Sequence, residues 1–357
     1  MIPVTKTYFP PIEKYHAQLE RIWAKGWLTN RGDLAKELEL RIAQSLQCSP
    51  LLIMNNGTIP IQIALKLLAK GGEVITTPFS YVATTSSILW EGCVPVFADI
   101  DENSLTIDVA EIKKKITDKT TCILATHVFG NPCDIEAIEQ LAQQHNLSVI
   151  YDAAHCFGVN YKGQSVFNFG DVSTCSFHAT KVFHTAEGGA FFTKNESLMT
   201  SAFQTHNFGH LNTTDFALVG INAKISELQA AMGLTMLDEM QVVFQERKKV
   251  VEYYNDHLNF SKMKTFALRA GTEWNFSYYP IILESELILE KVLANLAEVN
   301  VFPRRYFYPS LNKLPYIQNQ SCPVSESIST RVLCLPLYAG LKNEELQIIV
   351  NTIHQAL

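Results

Sequence analysis

No stretch of this 357-residue chain reaches the roughly 18 consecutive apolar residues that a membrane helix needs. No basic block marks a nucleic-acid or lipid surface, and the formal net charge is -6, so neither partner is expected. CxxC pairs are also missing. The eight cysteines (Cys48, Cys93, Cys122, Cys133, Cys156, Cys175, Cys322 and Cys334) are scattered, several of them inside apolar runs such as TCILAT and STCSF. They read as buried free thiols of a reducing compartment, not as a zinc site or disulfide framework, and no metal centre is expected. The opening MIPVTKTYFPP has no apolar core behind basic residues, so no secretory signal is expected and the chain reads as cytoplasmic. Internal repeats and low-complexity segments are absent. Charged residues make up only 18% against 47% apolar, which fits a globular protein with much buried surface, or an oligomer that hides part of its exterior.

What is present is alternation. Ile12, Tyr15, Leu19 and Ile22 recur at helical spacing up to Gly26, and Leu34, Leu38, Ile42 and Leu46 mark a second helix after WLTNRG. Then LLIM, EVITTP, VPVFADI, TCILATHV and LSVIYDAA read as strands separated by helical segments, with Pro60 in a first turn and Asp108 and Asp134 as caps. Units of this length predict an α/β protein with a mostly parallel sheet covered by helices. Ligands collect at the carboxyl ends of such strands, where Asn56-Gly57-Thr58, Tyr81, Asp152, His155 and Lys181 fall. Further on, GINAKISELQAAMGLTMLDEM predicts a helix with Ile225, Leu228, Met232 and Met236 on one stripe, and a charged helix through QERKKVVEYYNDHL reads as a connector. The expected division is a large domain over 1–240 and a smaller C-terminal α/β domain over 241–357.

One stretch carries unusual chemistry. In GDVSTCSFHATKVFHTAEGGAFFT, Lys181 stands among small, hydroxylic and aromatic residues between two strand-like segments. The plain alternative is a solvated loop lysine. A lysine attacks carbonyls only when neutral, so an amine desolvated by Phe177 and Phe183 suits a Schiff base. Asp152, ending LSVIYD, is either a strand-end cap or a carboxylate paired with a pyridinium nitrogen. Gly57-Thr58, at a strand-to-helix junction, offers an amide and a hydroxyl suited to a phosphate, without the spacing of a P-loop or of GxGxxG. An aldehyde, a ring nitrogen and a phosphate are together the features of pyridoxal 5'-phosphate.

The motifs NNGT, TTPFSYVATTSSIL, YDAAH, SFHATKVFHTAEGGA and GINAKISELQAAMG, in that order, resemble those of the DegT/DnrJ/EryC1/StrS sugar aminotransferases over nearly the whole chain. The resemblance implies the type I fold of pyridoxal-phosphate enzymes and a homodimer with shared active sites. It implies Lys181 as the catalytic residue, bound to the cofactor and then moving a proton, Asp152 on the ring nitrogen, Tyr81 on the ring face and His155 near the 3'-oxygen. Gly57, Thr58 and Ser176 would hold the phosphate, joined by Asn222 from the neighbouring subunit. His178 and His184 either line the substrate cleft or satisfy backbone beside the loop. In FPRRYFYPSL, Arg304, Tyr306 and Tyr308 either close the cleft over the substrate or form a solvated basic patch.

The variants YDAAHCFG and KVFHTAEGG resemble the branch acting on nucleotide-linked keto-6-deoxyhexoses. The implied reaction moves an amino group from L-glutamate to such a sugar, with dTDP-4-keto-6-deoxyglucose preferred over the 3-keto isomer and UDP-linked sugars. Its product would serve cell-surface polysaccharide (O-antigen lipopolysaccharide) or glycoside synthesis. Related sugar dehydratases commonly carry histidine in place of the lysine, so Lys181 argues against that activity, and the full set of cofactor-facing residues argues against a non-catalytic regulator.

Overall fold

The computed structural model describes residues 1–318 and 320–357. A short strand, β1 (Ile2–Pro3), precedes two amphipathic helices, α1 (Ile12–Lys25) and α2 (Asp33–Leu46). Gly26 stops α1 in the left-handed region at φ 67°, its N–H donating to the Ile22 carbonyl. Then β2 (Leu51–Met54), α3 (Thr58–Leu68), β3 (Glu73–Thr76), α4 (Val82–Trp90), β4 (Val94–Phe97), α5 (Val109–Lys115), β5 (Thr120–Thr126), α6 (Ile135–His145) and β6 (Ser148–Asp152) alternate. Asp108 and Asp134 cap α5 and α6 by accepting from the Ala110 and Ala137 amides. A ribbon, β7 (Asn160–Tyr161) and β8 (Gln164–Ser165), leads to β9 (Val172–Ser176) and β10 (Gly189–Phe192). There follow α7 (Glu196–His206), α8 (Glu227–Leu237), α9 (Met240–His257), β11 (Thr272–Glu273), β12 (Tyr279–Ile282), α10 (Glu286–Glu298), β13 (Val301–Phe302), α11 (Pro323–Arg331), β14 (Val332–Leu335) and α12 (Asn343–Ala356).

Seven strands form one sheet in the order β2-β10-β9-β6-β5-β3-β4. Every neighbouring pair is parallel except those made by β10, which runs antiparallel to both β2 and β9. Alternate residues feed opposite cores: Ile53, Ile75, Ile123, Tyr151 and Cys175 on one face, Leu52, Val74, Leu124, Ile150 and Phe191 on the other. Helices therefore cover both faces, and the carboxyl ends of the parallel strands are left to carry the functional loops.

Helix α9 ties two cores together. Met240 and Val243 pack with the sheet, while Val250, Val251 and Tyr254 join a second core built by β12, β14, α10 and α12. The first residues depart from the expected unit running unbroken from 1 to 240. β1 pairs in parallel with β13, and Ile2 lies in the second core. Helix α8 also differs from the expected stripe. Ser226 and Gln229 close a capping box that starts the helix after Ile225, Leu228 is partly exposed, and Ala230, Ala231 and Leu234 take the buried face. Among the described residues no helix is long and apolar enough to cross a membrane, and no group of three or more His, Cys, Asp or Glu side chains is placed to hold a metal ion.

Candidate active site

Lys181 sits in the loop joining β9 to β10, at the carboxyl end of β9. The loop is held from inside. The Phe177 amide donates to the Gly188 carbonyl (2.8 Å), Thr185 N–H to the Phe177 carbonyl (2.9 Å), and Lys181 N–H to the His178 carbonyl (2.8 Å). In the same loop Phe183 stacks on Phe157 (centroids 4.1 Å) and meets Phe177 edge-on (4.9 Å), a buried aromatic cluster that fixes the loop on either side of the lysine. The Lys181 Nζ lies 5.8 Å from the centroid of the Tyr278 ring. With Ala154, His155, Ser176, Thr180 and Ser277 they line a small, partly open pocket. Burial pushes the amine below the ordinary lysine pKa, against the opposing influence of Asp152, Cys175, Tyr306 and Tyr81.

Asp152 ends β6 and is buried. Its Oδ2 accepts from the Thr84 hydroxyl (2.8 Å) and its Oδ1 from the Ala154 amide (3.2 Å). Burial raises its pKa, while those two hydrogen bonds and the Lys181 charge lower it. No cation among the described residues lies within ion-pair range of it. His155 follows three residues later. Its Nδ1 accepts from the Phe129 amide (3.1 Å), so the hydrogen of the neutral ring is assigned to Nε2. Tyr278 (4.8 Å) and Phe307 (5.9 Å) pack on the imidazole, and burial holds its pKa well below the usual value.

At the start of α3 the structure refines the expected anion site. The Thr58 and Ile59 amides donate to Asn56 Oδ1 (2.9 and 3.0 Å), so Asn56 caps the helix and does not offer itself to a ligand. Gly57 lies directly against β9: a Cβ there would stand 2.6 Å from the Ser176 Cβ. The Thr58 hydroxyl and the Ser176 O–H find no acceptor among the described residues. Tyr81, at the N-cap of α4, has 59% of its surface exposed, leaving a ring face free.

These residues fit pyridoxal 5'-phosphate on three counts. A buried carboxylate without an in-chain cation suits a protonated ring nitrogen. The recessed amine suits the aldehyde. The close approach of Gly57 to Ser176, which a Cβ would prevent, sets the start of α3 beside the Ser176 hydroxyl, a pairing that suits a phosphate.

The remaining expected residues divide. His178 is half-buried, its Nδ1 2.8 Å from the Thr180 hydroxyl and its Nε2 3.5 Å from Glu187. His184 does not line the cleft: Nε2 contacts the Tyr8 carbonyl (2.8 Å) and Nδ1 accepts from the Ala186 amide (3.3 Å), so it braces backbone. Tyr306 meets Tyr278 edge-on at 5.6 Å and raises the Lys181 pKa electrostatically, which brings it to the pocket. Arg304 is exposed and influences Tyr306. Tyr308 stands under the Arg305 guanidinium (3.6 Å), which is itself held by Glu286 (2.6 Å) and the Thr330 carbonyl (3.1 Å). Asn222 is exposed at the base of a hairpin, bridged to Asn207. Sequence reasoning missed Thr84 and Tyr278. Thr84 sits in a run of small hydroxylic residues with no local mark of its partner, and Tyr278 reaches the site from the far side of α9.

Residues 12–354 match the DegT/DnrJ/EryC1/StrS aminotransferase family. The chain is 40% identical over 359 residues to a dTDP-4-amino-4,6-dideoxy-D-glucose transaminase of Shigella dysenteriae, with 99% of this chain and 98% of that protein covered. A protein of the same name from Escherichia coli is 35% identical, with 99% and 97% covered. The solved structure of DesI in the presence of its TDP-sugar product superposes with a TM-score of 0.93 at 29% identity, over 99% of this chain and 92% of that one.

Proposed function

Because the chain belongs to the DegT/DnrJ/EryC1/StrS aminotransferase family, we propose that it transfers an amino group from L-glutamate to dTDP-4-keto-6-deoxyglucose, giving dTDP-4-amino-4,6-dideoxyglucose. The chain is a pyridoxal-phosphate-dependent nucleotide-sugar transaminase. The choice of sugar is supported by two relatives named for that product and by the TDP-sugar seen with DesI. The observation that carries the reading is a pocket lined by Lys181, His155 and Ser176, with the buried Asp152 near enough to feel the Lys181 charge and Gly57 packed against Ser176.

When bound, the cofactor supplies an aldehyde for the amine and a ring that accepts electrons. The protein supplies the rest. Lys181 Nζ, whose pKa burial lowers, takes a proton from the reacting carbon of the donor and returns one to the sugar. Asp152 would hold the ring nitrogen protonated, and His155 would offer Nε2–H to the ring oxygen. Gly57 N–H and the hydroxyls of Thr58 and Ser176 would bind the phosphate, and Tyr81 would meet the ring. His178, Arg304, Tyr306 and Tyr308 border the path by which the nucleotide sugar arrives. Positioning by such contacts contributes roughly 7–11 kcal/mol to a bimolecular step.

The site is completed in a homodimer. The hairpin that ends at Asn222 exposes Phe208, Leu211, Phe216, Val219 and Ile221, an apolar surface that a second copy removes from water. Asn222 then reaches the partner's phosphate site. We place the reaction in the cytoplasm, which the eight free cysteines support, and its product in the assembly of a cell-surface polysaccharide such as O-antigen. The division of labour follows α9, with the cofactor held before residue 240 and a sugar-facing wall contributed after it.

A panel of nucleotide-linked keto-sugars incubated with glutamate, read by mass spectrometry, tests the proposal. The dTDP-linked 4-keto-6-deoxy sugar is expected to be aminated fastest. Faster amination of the 3-keto isomer or of a UDP-linked sugar overturns the assignment.

A further inference from the structure

Asp152 stands at the end of a chain of buried hydroxyls. The Thr84 hydroxyl lies 2.8 Å from Asp152 Oδ2, Ser80 Oγ lies 2.8 Å from the Thr84 oxygen, and Thr126 Oγ1 lies 3.1 Å from Ser80 Oγ. All three side chains are nearly or wholly removed from water, at 0%, 2% and 3% exposure. They come from separate elements: Thr84 from α4, Ser80 from the loop after β3, Thr126 from the end of β5. An ionised carboxylate accepts only, so Thr84 donates to it. Thr84 in turn accepts from Ser80, and Ser80 from Thr126. The three O–H dipoles thus point the same way, towards the negative charge, and polarise one another.

We propose that Thr84, backed by Ser80 and Thr126, is a positioning residue for the cofactor: it keeps the Asp152 carboxylate ionised and oriented so that its remaining acceptor sites serve the ring nitrogen. This rests on the reading of Asp152 as the partner of that nitrogen. The same relay anchors the loop carrying Tyr81, which lies between Ser80 and Thr84 in sequence. The ring-face residue and the ring-nitrogen residue therefore share one support.

Electrostatics agree with the geometry. Burial alone pushes Asp152 towards the protonated form, and the Thr84 hydrogen bond is the largest of the influences that oppose it, ahead of the Ala154 amide and the Lys181 charge. The titratable groups facing Asp152 are Lys181 from the β9–β10 loop, Cys175 from β9 and Cys156 just beyond β6. Burial keeps both thiols neutral. Losing the Thr84 hydroxyl therefore raises the Asp152 pKa further, and the carboxylate takes up a proton at a higher pH.

The test uses full-length protein with Thr84→Val, which keeps the shape and drops the hydroxyl, and Thr84→Ser, which keeps the hydroxyl. Cofactor dissociation is followed by absorbance across a pH series, with pyridoxal 5'-phosphate as the probe. Thr84→Val is expected to bind about tenfold more weakly, the size of a lost hydrogen bond to a charged group. It is also expected to release the cofactor at a higher pH on acidification. Thr84→Ser is expected to follow the parent protein on both measures. Parent-like behaviour of Thr84→Val overturns the proposal, as does a Thr84→Ser variant as impaired as Thr84→Val. Asp152→Asn run in parallel separates the two readings: if it leaves affinity and pH profile unchanged, the assignment of Asp152 itself falls. Should Thr84→Val fail to fold, Ser80→Ala takes its place. Cofactor release at a raised pH then supports the relay, and an unchanged profile overturns it.

Discussion

Lys181 and Tyr278 meet across the pocket, the lysine Nζ 5.8 Å from the centroid of the phenol ring. The two belong to different layers of the fold, one in the loop leaving the main sheet and the other at the entry to β12. The ring closes one side of the space around the amine, and burial lowers the amine's pKa. Opening that wall with Tyr278→Ala admits water and lets the Lys181 pKa climb towards the ordinary lysine value. The acid limb of the pH–rate profile is therefore expected to move to higher pH, and the neutral-pH rate to fall about tenfold for each pH unit the limb moves. An unmoved limb contradicts the role of burial.

The close contact between Gly57 and Ser176 yields a steric prediction. A Cβ there would stand 2.6 Å from the Ser176 Cβ and 2.9 Å from its Oγ, so Gly57→Ala displaces the β9 end from the start of α3. We expect cofactor affinity to fall by about tenfold or more with the fold retained, since overpacking of this kind costs roughly 1–3 kcal/mol. Equilibrium titration with the cofactor, beside a circular dichroism spectrum, checks this. Undiminished affinity would place the phosphate elsewhere.

The shared site is tested by complementation. Lys181→Ala and Asn222→Ala chains, unfolded and refolded together, form hybrid dimers in which one of the two sites keeps both residues. Random mixing restores roughly a quarter of the parent sites. Activity that merely equals the sum of the separate variants shows that Asn222 acts within its own chain or not at all.

Four buried histidines set the acid stability. Burial lowers the pKa of His127 to about 3 and that of His206 to about 4, and it depresses His155 and His184 as well. Each ring binds its proton more readily in the unfolded chain. Its contribution is therefore complete above the unfolded value of about 6.5 and is lost as pH falls through the window down to the folded value, by about 1.4 kcal/mol per pH unit per histidine. The raised carboxyls of Asp152, Glu39 and Glu91 act in the opposite sense, three groups against four. Urea unfolding of the cofactor-free protein is expected to give a plateau above about pH 6.5 and a steep decline below it. Constant stability down to about pH 4 contradicts this balance.

What the sequence made legible were residues tied to a local pattern. Asp152 closes an apolar strand, Gly57-Thr58 opens a helix after another, and Lys181 interrupts a run of small residues between two strands. Each could be placed at a strand end from periodicity alone. The Thr126–Ser80–Thr84 relay was not legible, because a hydroxyl in a helical or loop pattern carries no sign of the carboxylate it will meet. Tyr278 was hidden for a related reason: its contact with Lys181 depends on how the chain after α9 folds back. His184 shows the limit from the other side. Two histidines flank Lys181 at equal spacing, and only the fold shows that His184 is bound to the Tyr8 carbonyl and the Ala186 amide while His178 meets the Thr180 hydroxyl.

The most direct test of the central claim is a map of where the cofactor attaches. Cofactor-loaded protein is reduced with borohydride, digested and analysed by peptide mass. A pyridoxyl phosphate adduct is expected on Lys181 alone. Prior incubation with glutamate, in the absence of a keto-sugar, is expected to abolish the adduct, because the amino group has passed to the cofactor and freed the lysine. An adduct on another lysine, or one that persists after glutamate, contradicts it.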